Sequence, residues 1–403
     1  MEFRPILSAL MRNNTGPVLI ALQIAITLAI VTNAAFIIQQ RADKMNRDTG
    51  MDDQNLVFAR SYGFGTNYDH MTTIREDLAA LRAMPGVVDA AYMDAIPLSG
   101  SGSNSTFSPV PFTEGEDAAG DGNYYNVDEH GLNALGLTLE EGRWFTAAEI
   151  NYRPNERYMP EAVVVTRAFA DDVFGEGKPV VGELLYNSVN QTSRVIGVLD
   201  RMQGAWVNWD GLDRVVLFRR VDDPPMAGYA IRVEPGQRDR LVPEIEAKLQ
   251  DINRNRVVTS VRTHAEYISN SYGNDSAMVQ MLSGVSVLLV AVTALGIVGL
   301  AAFNVNQRRK QIGTRRALGA RRADILRYFL VESLLISAIG IAAGTLLAFA
   351  MSWWLGTEFG LPKLDWRFVP PAMVGLLLIA QLAVLGPARR ASGISPALAT
   401  RSV

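Results

Sequence analysis

Four long apolar runs stand out in the pattern of hydrophobic and polar positions along the chain. A helix needs about 20 apolar residues to cross a membrane, and each run provides them with few charges. The runs cover residues 16–38, 276–305, 329–355 and 368–388. The first is too long for the apolar region of a signal peptide, which has about 7–15 residues, so we interpret it as an uncleaved anchor. The pattern predicts a membrane protein with four transmembrane α-helices.

Basic residues are concentrated beside these runs. Eight Lys and Arg lie in segment 306–328, between the second and third spans. The terminal segments 1–15 and 389–403 are also basic, whereas the charges of the connection 356–367 balance. Because cytoplasmic loops carry an excess of Lys and Arg, we predict that both termini and segment 306–328 are cytoplasmic. Segment 39–275 then lies outside, as does the short connection.

Charge divides the chain sharply, although its net charge is only −3. The predicted cytoplasmic segments hold 13 basic and 3 acidic residues, counting Glu332, which leaves 25 basic and 38 acidic residues elsewhere. This acidity argues against nucleic acid as a partner, because phosphate binding requires basic surfaces. The chain has no cysteine, which excludes disulfides and Cys-based zinc sites.

The polar segment 39–275 is patterned as a folded α+β domain. Apolar residues at helical spacing predict a helix over 69–84, between strands at 55–60 and 87–92. A second unit of the same kind has strands at 229–233 and 257–261 around a helix at 237–252. We predict a split α+β subdomain, formed by about 50–110 and 221–262, and a strand-rich subdomain inserted at about 124–220.

The remaining parts of this segment are loops and helical extensions. The Gly-, Ser- and acid-rich stretches 99–105 and 114–123 predict loops without secondary structure. Residues 39–48 and 263–275 are polar and compatible with helix, which suggests that they continue the first two spans as a stalk.

The sequence lacks three common catalytic or nucleotide-binding motifs. It has no phosphate-binding loop, no His-Glu-x-x-His and no Gly-x-Ser-x-Gly. His130 stands beside Asp128 and Glu129, which fits either a metal ligand or, more commonly, a solvated acidic loop, and His70 and His264 are far away. We predict a non-catalytic subunit without metal or cofactor.

Trp206 and Trp209 lie close together in the motif GAWVNWD. They either line a surface for a hydrophobic ligand or cap a core. The external domain therefore has the character of a binding or mechanical module.

Segment 306–328, which we call the elbow, combines its charges with apolar positions. Leu318, Ile325 and Phe329 recur at helical spacing and predict one common side. Gly319 can end a first helix in the left-handed conformation, before a second helix leads into the third span. Glu332 lies at the start of that span, where an acid is costly unless it is paired, and we predict pairing with an Arg of the elbow.

The elbow also resembles a known family. The stretch KQIGTRRALGARRADILRYFLVESLLISAIGIAAG is similar to a motif of MacB/FtsX-type ABC transporter permeases, with an acid-Ile-Gly, an Arg-Ala-Leu-Gly-Ala and a Glu just inside the next span. The stretches LRAMPGVVDAAY, LNALGLTLEEGRWFTAAE, EAVVVTRAFADDVFG and VIGVLD resemble the MacB-type periplasmic core domain, and PARRASGISPALATR resembles the closing segment. The resemblance covers essentially the whole chain.

The resemblance implies a fold and a mechanism. Two permeases pair, two ABC ATPases dock beneath them, and ATP-driven movement is transmitted along the stalk, which is called mechanotransmission. In this chain the ATPase-coupling residues would be Gln311, Ile312, Gly313, Arg315, Arg316, Ala317, Leu318 and Gly319, and Glu332 would be the membrane-edge acid. Gln311 departs from the family, which usually has Glu there, and a heterodimer with a different permease would be one explanation.

The resemblance also implies a function and a location. We expect the permease subunit of an ABC exporter in a bacterial inner membrane, contacting lipids and moving a periplasmic or outer-leaflet peptide, lipopeptide or antibiotic outward. An adaptor and an outer-membrane duct are further expected partners. Because the chain starts about fifteen residues before the first span, its ATPase is expected to be a separate chain. The alternatives are a lipoprotein-release permease and a non-transporting FtsX-like regulator of cell-wall hydrolases.

Overall fold

The computed structural model describes residues 15–66, 68–113, 120–150, 152, 159–222 and 226–394. The chain divides into two compact units, which are Arg47–Asn274 and the remainder, Met1–Asn46 with Asp275–Val403. We call the first the α+β unit and the second the membrane unit.

The helices are numbered in chain order over the described residues. They are α1 (Thr15–Met45), α2 (His70–Arg82), α3 (Gly131–Leu135), α4 (Arg167–Phe174), α5 (Arg238–Ile252), α6 (His264–Ser271), α7 (Gly273–Gln307), α8 (Arg309–Ala317), α9 (Arg322–Phe359) and α10 (Val369–Ser392). Single 3₁₀ turns cover Ala147–Glu149 and Trp366–Phe368.

The strands are numbered in the same way. They are β1 (Leu56–Gly63), β2 (Val87–Tyr92), β3 (Ser103–Ser108), β4 (Gly120–Val127), β5 (Leu139–Gly142), β6 (Ala162–Thr166), β7 (Leu184–Asn187), β8 (Thr192–Leu199), β9 (Val215–Arg219), β10 (Met226–Val233) and β11 (Arg256–Thr263).

Four helices of the membrane unit are long and apolar enough to cross a membrane, which confirms the four predicted spans. They are α1, α7, α9 and the helical segment Trp366–Ser392. The helices run beyond the apolar runs, since α1 continues to Met45 and α9 continues to Phe359. Polar ends of this kind are expected where a membrane helix emerges into water.

Small residues bring α1 and α9 into close contact. A Cβ atom added to Gly340 would lie 2.7 Å from the Ala21 carbonyl oxygen, and one added to Gly344 would lie 2.9 Å from the Ala25 Cα. Glycine and alanine at four-residue spacing allow membrane helices to approach backbone to backbone, where packing is the main attraction. Asn33 adds a hydrogen bond from its Nδ2 to the Ala348 carbonyl oxygen at 3.0 Å.

Polar contacts connect α1 to α7 along their length. Gln23 donates to the Val292 carbonyl oxygen at 3.1 Å, and the hydroxyls of Thr27 and Thr293 lie 2.7 Å apart. Toward the C-terminal end of α1, Arg41 and Lys44 both bind the Asp275 carboxylate, at 2.5 and 2.8 Å. Much of the remaining α7 surface is apolar and exposed.

The α+β unit contains a four-stranded sheet in the order β11-β1-β10-β2, with antiparallel neighbours. Its strands and helices α2 and α5 confirm the two predicted strand–helix–strand units. In this sheet the strands of the two strand–helix–strand units alternate, so the two ends of segment 39–275 form a single sheet. Asp77 of α2 and Arg256 of β11 form a fully buried ion pair. The Tyr229 hydroxyl donates to the Asp77 carboxylate at 2.5 Å.

The second sheet has seven strands in the order β5-β8-β6-β9-β4-β3-β7. It contains the predicted strand-rich insertion, but β3 differs from the prediction. Residues 103–108 fall in the part assigned to the first subdomain, yet they pair with β4 in the second sheet. The predicted loops are also wrong in part: β3 begins at Ser103 and β4 at Gly120, while residues 114–119 lie outside the described residues.

Candidate functional site

The elbow contains the short helix α8, and a turn at each end separates this helix from α7 and α9. Helix α7 ends at Gln307, and α8 begins after Arg308. At the other end, the Ala320 N–H donates to the Arg315 carbonyl at 3.1 Å and the Gly319 N–H donates to the Arg316 carbonyl at 3.2 Å. This pair of hydrogen bonds is a Schellman motif, and it needs the left-handed conformation that Gly319 adopts with φ of +102°. The predicted role of Gly319 as a helix stop is therefore confirmed.

Helix α9 starts with its own cap. The Arg321 N–H donates to the Asp324 carboxylate at 2.9 Å, in the third helical position. A carboxylate there satisfies a free backbone donor and interacts favourably with the positive end of the helix. Both ends of the turn are therefore fixed by hydrogen bonds, so α8 and α9 are held at a defined angle.

One side of α8 is packed into the membrane unit. Ile312 is 5% exposed and belongs to a hydrophobic cluster with Ile325 and Phe329, which also includes Val384 of α10. Gly313 is buried beside Ile312. Ile312 and Gly313 therefore hold the elbow in place, and they are covered by the protein itself.

The other side of the elbow is open to its surroundings. Leu318 is 83% exposed, and Gln311, Arg315, Ala317 and Gly319 are exposed as well. The prediction that Leu318 shares a side with Ile325 and Phe329 is therefore wrong. Leu318 precedes the Schellman turn, which changes the direction of the helix before the other two positions.

Arg316 connects the elbow to the C-terminal end of α10. Its guanidinium donates to the carbonyl oxygens of Ser392 and Ile394, at 3.1 and 2.7 Å. Arg316 is half-buried, so it serves as an internal tie in this structure rather than as part of the exposed surface.

Glu332 is paired as predicted, and its partner is Arg308. Both carboxylate oxygens lie 3.0 Å from the same guanidinium nitrogen, and Glu332 is only 4% exposed. Arg308 also donates to the Tyr328 hydroxyl at 3.3 Å. The Arg315 guanidinium lies 5.2 Å from the centre of the Tyr328 ring, which adds a cation–π contact. Arg308, Tyr328 and Glu332 thus link the start of α8 to α9.

The structure therefore separates the predicted coupling residues into an exposed and a covered group. Tyr328 was missed by the sequence analysis, although it lies one helical turn before Glu332, a spacing that places both on one side of a helix. Arg308 was predicted only as one of several candidates, because nothing in the sequence distinguishes it from the other basic residues of the elbow.

The histidines and tryptophans lie in the α+β unit. His130 binds the Asp89 carboxylate at 2.9 Å. Asp128 is 1% exposed and pairs with Arg82 at 3.0 Å, so the interpretation of this region as a solvated acidic loop is wrong. The described residues include no group of three His, Cys, Asp or Glu that could hold a metal ion. Trp206 borders a groove of the α+β unit.

Comparison with known proteins agrees with this architecture. The family of the MacB-like periplasmic core domain matches residues 18–252, and that of the FtsX-like permease C-terminal region matches residues 283–396. Four helices that are long and apolar enough to cross a membrane, with a large α+β domain between the first and second, define the class as a multi-pass membrane protein. The chain belongs to the MacB/FtsX-type family of ABC transporter permeases, and its α+β unit is a MacB-like periplasmic domain.

The chain is also similar to individual proteins. The chain is 31% identical over 285 residues to the macrolide export ATP-binding/permease protein MacB of Bdellovibrio bacteriovorus, covering 64% of this chain and 41% of that protein. It is 25% identical over 287 residues to the pyoverdine export ATP-binding/permease protein PvdT of Pseudomonas syringae, covering 68% and 42%. The periplasmic region of MacB from Actinobacillus actinomycetemcomitans aligns with a TM-score of 0.32 and 13% identity, over 55% of this chain and 95% of that one. The chain spans about half the length of the curated relatives it matches.

Proposed function

We propose that this chain is the permease subunit of an ABC exporter that works by mechanotransmission. In this proposal an ABC ATPase on a separate chain docks on the elbow, and its closure moves the membrane unit. The protein lies in a bacterial inner membrane with both termini in the cytoplasm. It moves a peptide, lipopeptide or antibiotic outward from the periplasm or the outer leaflet.

The observation that carries this proposal is the two-sided construction of the elbow. Ile312 and Gly313 are covered, whereas Arg315 of the same helix and Leu318, which follows its last residue, are exposed. A leucine that is 83% exposed, next to cationic side chains, suits a partner with an apolar pocket and an acidic rim. A helix that packs against the membrane unit on one side and is exposed on the other can pass on a force that a bound partner exerts.

Three contacts would transmit such a force. Arg316 holds the end of α10, and Arg308 binds Glu332 of α9, while α8 follows α7 after a single residue. Packed helices move as rigid bodies because protein interiors deform little. A displacement of α8 would therefore be shared by α7, α9 and α10.

Pairing with a second permease, and contact with a periplasmic adaptor and an outer-membrane duct, complete the proposed assembly. Basic residues of the elbow would also contact anionic lipid headgroups, worth about 1 kcal/mol for each residue near the surface. The adaptor and the outer-membrane duct distinguish an exporter from a regulator, because a regulator would copurify with a cell-wall hydrolase instead.

Docking can be tested with the double variant Arg315→Glu/Leu318→Asp. Both side chains are exposed, so the variant is expected to insert and fold normally. We expect copurification of the ABC ATPase, and the stimulation of its ATP hydrolysis, to fall at least about tenfold, since charged and apolar hot spots typically contribute 2 kcal/mol or more. Arg316 is unsuitable for this test, because its loss would also release the end of α10.

The matched control is Arg389→Glu, which reverses an exposed charge at the end of α10, outside the proposed docking surface. It is expected to retain the ATPase. If the double variant retains the ATPase at the level of the control, with unchanged stimulation, the elbow is not the docking site.

A further inference from the structure

The α+β unit contains a groove that the proposed docking function does not use. Its volume is about 480 Å³, within the range of about 300–1,000 Å³ that is usual for small-molecule sites. Its walls come from the loop after β2, the loop between β8 and β9, strand β11 and helix α6. The residues that line it include Ser99, Trp206, Arg262, Tyr267 and Asn270.

Two aromatic side chains form fixed walls of this groove. The Trp206 indole N–H donates to the Gly100 carbonyl at 3.1 Å, and its ring packs against Trp209 at 6.5 Å between centres. The Tyr267 hydroxyl lies 3.3 Å from the Ser260 hydroxyl, and its ring packs edge-on against Phe58. Because the protein itself binds their polar atoms, these two side chains offer a ligand mainly apolar ring surface.

Arg262 supplies a positive charge to the groove. It is exposed, and its guanidinium has no hydrogen-bond or ion-pair partner in the part of the chain that the structure describes. A guanidinium binds a carboxylate through two parallel hydrogen bonds. Asn270 adds a side-chain amide, which can both donate and accept hydrogen bonds.

The backbone beside the groove is held in an unusual conformation. Leu98 has φ of +55° although it is not a glycine, and it is fully buried. Its N–H donates to the Gly204 carbonyl at 2.9 Å, and its carbonyl accepts from the Ser271 hydroxyl. Strained backbone of this kind persists only where its surroundings hold it, and it is concentrated at ligand sites. Here the hydrogen bonds of Leu98 with Gly204 and Ser271 hold the loop that carries Ser99 against α6.

We propose that this groove binds an amphipathic carboxylate, meaning a molecule that joins an apolar or aromatic body to a carboxylate. Trp206 and Tyr267 contact the apolar body, Arg262 binds the carboxylate, and Asn270 binds an amide or hydroxyl group between them. Helix α6 is separated from α7 by Tyr272 alone, so a ligand seated against α6 contacts the segment that leads into a membrane span.

The test uses the full chain in nanodiscs and isothermal titration calorimetry. The probe is the acetylated dipeptide of leucine and phenylalanine with a free carboxylate, compared with the same molecule as its neutral amide. We expect the free acid to bind at least about tenfold more tightly than the amide, since a hydrogen-bonded charge contributes more than 1.4 kcal/mol. Arg262→Gln is expected to remove this preference, and Trp206→Ala to weaken both probes.

The matched control is Arg254→Gln, which removes an exposed arginine outside the groove and should leave both affinities unchanged. Circular dichroism checks that each variant is folded. Three results would overturn the proposal: no binding of the free acid to the unaltered chain, equal binding of acid and amide, or an unchanged preference in Arg262→Gln. Because neither probe nor readout involves the ATPase, failure here is distinct from failure of the docking proposal.

Discussion

Replacing Gly344 with alanine tests whether close contact between α1 and α9 holds the membrane unit together. The added Cβ would lie 2.9 Å from both the Cα and the carbonyl oxygen of Ala25, and 2.9 Å from the Leu28 Cβ. These atoms belong to backbone or lie next to it, so no side-chain rotation relieves the contact. Ordinary contact begins at 3.4 Å, and the two helices must therefore separate by roughly 0.5–1 Å.

The cost follows from that separation. A gap of about 0.5–1 Å removes a quarter to a half of the attraction between packed atoms, and inserting a methyl group into a packed interior typically costs about 1–3 kcal/mol. The higher helix propensity of alanine returns up to about 1 kcal/mol. The expected net loss is about 1–2 kcal/mol, or a fall in the unfolding midpoint of roughly 2–8 °C for a unit of this size.

The assay is size-exclusion chromatography of the detergent-solubilised chain after heating, which measures the midpoint of unfolding. The matched control is Gly299→Ala in α7, where an added Cβ meets no atom within 4 Å. It adds the same methyl group and should leave the midpoint unchanged or raised. If Gly344→Ala and Gly299→Ala shift the midpoint equally, the contact with α1 does not determine stability.

The close contact itself could not have been predicted from the sequence. Gly340 and Gly344 form a small-residue repeat, and Ala21, Ala25 and Ala29 form another, but α7 also contains small residues. Which helix faces which depends on the tertiary arrangement. The number of spans was predictable, because length and hydropathy are local properties of each run.

The elbow shows the same limit in a smaller region. Gly319 was correctly predicted as a stop, since a left-handed cap is a local requirement of the backbone. The position of Leu318 was predicted wrongly, because helical spacing indicates on which side of a helix a residue lies only as far as the helix continues. The Arg308–Glu332 pair spans 24 residues across that turn. Several arginines of the elbow could pair with Glu332, and only the folded structure shows that Arg308 does so.

The misplacement of β3 has a related cause. A strand's own sequence indicates that it is extended, but its neighbours in a sheet can lie far away in the chain. Residues 103–108 are the next strand along the chain after β2 of the four-stranded sheet, and this proximity in the sequence favours the wrong sheet. In the structure β3 pairs with both β4 and β7, the latter nearly eighty residues away, as in Phe107 opposite Asn187.

Two further predictions concern charged groups. Glu332→Gln leaves Arg308 without its ionic partner. Removing one partner of a buried pair costs about 3–5 kcal/mol, and the partial exposure of Arg308 lowers this figure. We therefore expect a lower unfolding midpoint and weaker stimulation of the proposed ATPase partner, both unchanged in the exposed control Glu358→Gln. Equal values for the two variants would contradict the role of the pair. Burial raises the pKa of Asp128 from 3.8 to about 6, despite the nearby Arg82. The folded domain therefore binds a proton that the unfolded chain does not bind between about pH 4 and 6, and its stability should rise as the pH falls through 6, by up to about 3 kcal/mol. Thermal unfolding between pH 7.5 and 5 measures the first part of this rise, about 1.4 kcal/mol, which Asp128→Asn should diminish. A rise that persists in full in that variant would assign the proton to another group.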